Sequence, residues 1–130
     1  MEKHDIENRQ DVELLVRTFY GKVRDHEVLG PIFNEKINDW ESHLIQLVDF
    51  WESMLLMVNK YQGNPMQAHI EVDAHFDHSI EQAHFGHWLE LWLTTLHEHF
   101  DGIHAETAKE RARNMSHMLF MRMFQSRPHK

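Results

Sequence analysis

The chain has 130 residues, 42% of them hydrophobic, enough for one domain around one core. Thirteen Lys and Arg against 21 Asp and Glu leave a formal net charge of -8, which disfavours nucleic acid and anionic membrane surfaces as partners. There is no cysteine, so disulfides, thiolate nucleophiles and cysteine-ligated metal sites are excluded, as fits a cytoplasmic protein.

Residues 1–8 are polar and read as a frayed lead, with Asn8 or Asp5 available to cap a first helix. Val12, Leu15, Val16, Phe19, Tyr20 and Val23 recur at spacings of three and four, one face of a helix ending near residues 24–26. Leu29-Gly30-Pro31-Ile32-Phe33 is an apolar turn or short helix broken by Gly-Pro. Asn38 or Asp39 opens the next helix, whose stripe is Trp40, Leu44, Leu47, Val48, Trp51 and Leu55. Residues 61–65 form a loop, and Pro65 starts a short helix carrying Met66 and His69. Residues 70–78 fit no clear pattern. Ser79 is expected to begin a strong helix with Ile80, Ala83, His84, Trp88, Leu91, Trp92, Thr95 and Leu96 inside, stopped by Asp101-Gly102. A final helix is expected over about 104–125, with Ala105, Ala108, Ala112, Met115, Leu119 and Met123 inside and a tail over 126–130. No segment alternates with period two, no run is long and apolar enough to span a bilayer, and no signal-peptide pattern opens the sequence. The expected architecture is all-α, a single domain of four main helices and one or two short ones.

Thirteen histidines invite a search for metal ligands, since neutral imidazole is the commonest of them. His69 follows the Gly63-Asn64-Pro65 break and is placed to be an axial haem ligand; its second ring nitrogen would donate to a carbonyl or carboxylate. Phe33 would pack on the porphyrin. Tyr20 lies on a buried face, so its hydroxyl needs a polar partner inside. His43 stands one turn before Leu47, both toward the slot, and Trp88 adds an indole N–H. Taken singly, each of these residues also fits an ordinary helix core. Other metal readings are thinner. Glu81-x-x-His84 is half of a di-iron carboxylate motif without its second half. His75-x-x-His78, His84-x-x-His87 and His97-x-His99 fit solvated surface better than a Zn or Ni site. There is no zincin His-Glu-x-x-His, no phosphate-binding glycine loop and no nucleophile elbow.

Taken in order, these residues resemble a known family. Phe19-Tyr20-Gly21-Lys22-Val23-Arg24 and Leu29-Gly30-Pro31-Ile32-Phe33 are similar to the opening of the group III (P-type) truncated haemoglobins, a bacterial globin family. Trp40-Glu41-Ser42-His43-Leu44, Phe50-Trp51 and Met54-Leu55-Leu56 continue the likeness. Tyr61-Gln62-Gly63-Asn64-Pro65-Met66 with His69, then His84-Phe85-Gly86-His87-Trp88-Leu89, complete it. The Gly-Gly pairs of other truncated haemoglobin groups are missing. The resemblance implies a truncated globin fold, a two-over-two helical sandwich around a haem pocket. It implies haem b (iron protoporphyrin IX), with His69 as proximal iron ligand and Phe33, Leu47, Trp51, Met66, Phe85 and Trp88 around the ring. Tyr20, His43 and Trp88 become the distal, ligand-stabilising residues. Two departures stand out: no proline lies between residues 71 and 83, and Met57 stands where members often have glycine after the Leu-Leu pair.

The expected function is binding of dioxygen and other diatomic ligands, and with it oxygen transport or storage. Nitric-oxide or peroxide chemistry is open and would need an external electron-donor reductase, since no reductase domain is present. The alternatives are a gas-sensing or redox interaction protein, and a histidine-rich helical protein with a non-haem metal. The protein is expected to be a monomer or weak dimer. Lys36, Arg111 and Arg113 are the cations available for haem propionates.

Overall fold

A computed structural model of the protein describes residues 3–58, 61 and 63–128, the side chain of Met66 excepted. Gln62, part of the motif before His69, lies outside the described residues, as do the tail ends 1–2 and 129–130. The described chain forms α1 (Arg9–Asp25), α2 (Leu29–Lys36), α3 (Trp40–Leu56), α4 (Pro65–His75), α5 (Gln82–His99) and α6 (Ile103–Gln125), with no strand among the described residues. α1 pairs with α3 and α5 with α6, and the two pairs meet where α1 packs on α5 and α3 on α6. This is the two-over-two arrangement.

α1 starts where Asn8 accepts a hydrogen bond from the Asp11 amide at 2.9 Å, satisfying one of the free amides of the first turn. Its expected stripe is its buried face: Val12, Leu15, Val16, Phe19, Tyr20 and Val23. α2 follows after a sharp corner. Gly30 makes the corner possible, because a Cβ there would stand 2.5 Å from the Arg24 carbonyl oxygen. α3 is capped by Asp39, which accepts from the Ser42 amide at 3.2 Å. It buries Val48, Trp51 and Leu55, with Trp40, Leu44 and Leu47 packed beside them. It ends at Met57 in the left-handed conformation (φ 58) that glycine would adopt without strain. Trp92 of α5 is fully buried at the centre, stacked on Trp51 at 4.4 Å and donating its N–H to the Ala108 carbonyl at 3.2 Å.

One open stretch is resolved and two expectations need correction. Residues 70–78, which fit no pattern in the sequence, are mostly helix: α4 runs to His75 and turns through Asp77 (φ 57) and His78 (φ 59). α5 begins at Gln82 and not at Ser79, because His84 Nδ1 accepts from the Glu81 amide at 2.8 Å and sets the start there. Ser79 instead bonds back to the Phe76 carbonyl, and Ala83 is exposed. The lead before α1 is anchored from residue 3 onward. Ile6 is fully buried, and Asp5 accepts from the His104 and Ala105 amides at 2.9 Å each. Asp5 therefore caps α6, whose own N-cap, Gly102, has no side chain to do so.

Candidate functional site

A cavity of ≈ 600 Å³ opens between the helices. It falls in the usual size range of a buried small-molecule site, roughly 300–1,000 Å³. Every predicted site residue with a described side chain lines it: Tyr20, Phe33, His43, Leu47, Trp51, His69, Phe85 and Trp88. Met66 lies in α4, but its side chain is outside the described residues.

Ring contacts divide this lining into two groups. Tyr20 of α1 meets Phe33 at 5.9 Å and His43 at 5.8 Å, edge to face in each case. Trp88 brings the single N–H of its indole to the same cavity. Burial pushes the Tyr20 phenol up to about 12, so the hydroxyl keeps its proton at neutral pH. His43 is lowered by burial and is a neutral imidazole. Its Nε2 is the one buried side-chain polar atom among the described residues with no hydrogen-bond partner. Such an orphan costs about 1–3 kcal/mol, which a polar ligand in the cavity would offset.

The second group centres on His69, in the first half of α4. Pro65 occupies the start of that helix, and Asn64 caps it by accepting from the Gln67 amide at 3.0 Å. The Pro65 carbonyl lies 2.6 Å from His69 Nδ1. A carbonyl can only accept, so Nδ1 carries the proton and Nε2 keeps its lone pair. Burial lowers the basicity of His69, with the Pro65 bond acting in the opposite sense, and the imidazole is neutral at pH 7. Phe85 lies beside it, ring centroids 5.8 Å apart. A neutral imidazole, oriented through one nitrogen and free at the other, is the donor that a haem iron needs. Apolar walls, that donor and an unpartnered polar atom on the other group of residues together fit a haem.

Some of the lining escaped sequence reasoning. Met115, Ser116 and Leu119 of α6 form part of it, as do Tyr61 and His84. Met115 and Leu119 belong to the apolar stripe of α6, and periodicity does not distinguish a cavity wall from core. Of the cations considered for propionates, Lys36 lines the cavity; Arg111 and Arg113 are exposed on α6 and do not. The histidine pairs serve other ends. His75 Nε2 lies 3.1 Å from Glu35, and His78 Nδ1 lies 3.3 Å from Asp73. No group of three or more His, Cys, Asp or Glu among the described residues could hold a metal ion.

No family model matches the sequence. A curated relative does: group 3 truncated hemoglobin ctb of Campylobacter jejuni is 29% identical over 126 residues, covering 91% of this chain and 95% of that protein. The crystal structure of a group III truncated hemoglobin from Campylobacter jejuni matches with a TM-score of 0.84 at 27% identity, covering 98% of this chain and all of that one. The architecture is therefore that of a truncated globin. Both of these similar proteins are group III truncated haemoglobins, so sequence and structure point to the same relatives.

Proposed function

We propose that the chain binds haem b in this cavity, with His69 as the axial iron ligand, and takes dioxygen and other diatomic molecules on the Tyr20 side. The observation that supports this most is His69 itself: a neutral cavity-lining imidazole whose Nδ1 is held by the Pro65 carbonyl at 2.6 Å. With no cysteine in the sequence, a thioether link to the haem is excluded. When bound, haem supplies an iron with one open coordination position for a diatomic ligand. The chain supplies the surroundings. Phe33, Leu47, Trp51 and Phe85 give the ring apolar faces and exclude water. Tyr20 donates a hydrogen bond to the ligand, and Trp88 brings its indole N–H to the same cavity. His43 stands at the cavity with a nitrogen free to join the network. Lys36 is placed to meet a propionate.

Turnover of nitric oxide or peroxide is a second reading, and one observation favours it. His43 offers an acceptor nitrogen beside the Tyr20 donor, ring centroids 5.8 Å apart, so a proton has both a source and a destination. This reading requires an electron from an external reductase. It predicts consumption of nitric oxide or peroxide with a reductant present, slowed in His43→Leu; equal rates in the two proteins would count against it. The haem reading itself is tested by the absorption spectrum of purified or haem-reconstituted protein. A Soret band that moves on adding carbon monoxide is expected, and a chain that stays colourless after reconstitution would refute it.

A further inference from the structure

We propose that Asp73 and Arg127 are positioning residues for His69: the ion pair between the buried Asp73 carboxylate and the half-buried Arg127 docks the helix that carries the iron ligand, in place of apolar packing. The inference rests on the haem reading above.

The starting observation is what α4 lacks. Among its described side chains only Asp73 is buried, and Asp73 carries a charge. Ile70 and Val72 are half-buried, and Ala68 and Ala74 are exposed. Such a helix has little apolar surface with which to hold its position. Its packing contact is with α6. Asp73 lies four residues after His69, one turn along the same face.

The Asp73 carboxylate is fully engaged. Oδ2 accepts from Arg127 Nε at 2.9 Å, and Oδ1 from Arg127 Nη2 at 3.0 Å, a two-pronged pairing. Oδ1 also accepts from the Ile80 amide at 3.2 Å, and Oδ2 lies 3.3 Å from His78 Nδ1. Arg127 donates in addition to the Ile80 carbonyl and lies over the Phe124 ring at 5.1 Å. One knot thus joins three segments: the second half of α4, the turn into α5 and the residues that follow α6. The turn contains Asp77 and His78 in left-handed backbone, a conformation side chains disfavour, so local preference does not hold it in shape. A buried carboxylate that loses its guanidinium is left as an uncompensated charge, so removing Arg127 should free α4 and not merely weaken a contact.

The test compares wild type with Arg127→Ala, Asp73→Asn and the conservative Arg127→Lys. In the haem-free proteins, amide hydrogen exchange should accelerate across residues 65–75 in Arg127→Ala while α1 and α3 stay protected. In the haem-loaded proteins, loss of haem to excess apomyoglobin should be about 10- to 100-fold faster, the usual scale for groups that orient a metal-bound histidine. The iron–imidazole stretch of the ferrous protein should shift or broaden, and the C–O stretch of the carbon monoxide complex, which reports the Tyr20 side, should not. Arg127→Lys keeps the charge and loses the fork, and should fall between. If Arg127→Ala does not fold, the same measurements on Arg127→Lys and Asp73→Asn decide. Unchanged haem loss and an unchanged iron–imidazole line would overturn the positioning role. Slow exchange across α4 in Arg127→Ala would overturn the knot even where haem is bound normally. A wild-type chain that takes up no haem would sink the haem reading, and the positioning role with it.

Discussion

Tyr20 reaches the cavity from a helix with six buried side chains, whereas His69 reaches it from a helix whose buried, described side chain is a carboxylate. The Tyr20 side is built into the core. Phe19 packs edge-on against Tyr20, Trp88 and Trp92 at 4.7, 5.3 and 4.9 Å, so the hydroxyl is held by the same rings that hold the fold together. The His69 side is held from its two ends, by the Pro65 carbonyl and by the Asp73 knot. Apolar packing spreads over many contacts and tolerates the loss of one; a polar knot is directional and fails when one partner goes. The Tyr20 wall is therefore rigid by default, and the His69 wall depends on a few charged atoms.

The largest expected effect is on the first side. Trp92→Ala should lower global stability by about 3–5 kcal/mol in urea unfolding, because it removes a fully buried ring at the contact between the helix pairs. A loss under about 1 kcal/mol would mean that the core is not what holds the Tyr20 wall. Tyr20→Phe comes next. Dioxygen should escape roughly ten- to a hundredfold faster, the equivalent of about 1–3 kcal/mol for a hydrogen bond lost in a dry site. An off-rate equal to wild type would remove Tyr20 from ligand binding.

Acid should act on the molecule in two steps. The folded-state pKa values of His43 and His69 both lie below the ordinary 6.5 because of burial. The unfolded chain then binds the proton more readily, and stability of the haem-free protein should decline as pH falls below about 6.5. Asp73 behaves in the opposite chemical sense. Burial alone would raise its pKa, but the bonds from Arg127, His78 and the Ile80 amide outweigh it and hold it below 3.8. Its contribution is complete above the unfolded value and is lost only as pH falls through the lowered one, with α4 released first. Asp73→Asn should abolish that second step in hydrogen exchange across α4; an undiminished step would assign it to another carboxylate. The smallest effect expected is Asp5→Ala, about 1–2 kcal/mol for the loss of the α6 cap, with the cavity unchanged in both halves.

The contrast between the two sides also explains what could be read in the sequence. α1 and α3 were legible because their apolar residues recur every three or four positions and a polar cap precedes each. Tyr20, Phe33 and His43 sit on those helices or on α2 between them; singly each also fits plain core, and the resemblance to the group III truncated haemoglobins is what singles them out. The stretch after His69 was not legible. Its shape depends on Arg127, 54 residues away from Asp73, and no local period carries such a pairing. The start of α5 is not legible from the apolar stripe that begins at Ile80: the turn uses Ser79 to bond back to Phe76, and the helix opens at Gln82. Asp5 was read as a cap for the nearest helix and caps the last one. For Asp73 and Asp5 the partner lies far along the chain, beyond any local pattern.

The claim on which both sides depend is that His69 is the iron ligand. Replacing it by glycine and adding free imidazole tests this most directly. His69→Gly should lose or strongly alter the haem spectrum, and imidazole at millimolar concentration should restore it by occupying the vacated space. A His69→Gly protein that keeps the wild-type spectrum without imidazole would contradict the account and move the ligand to another histidine.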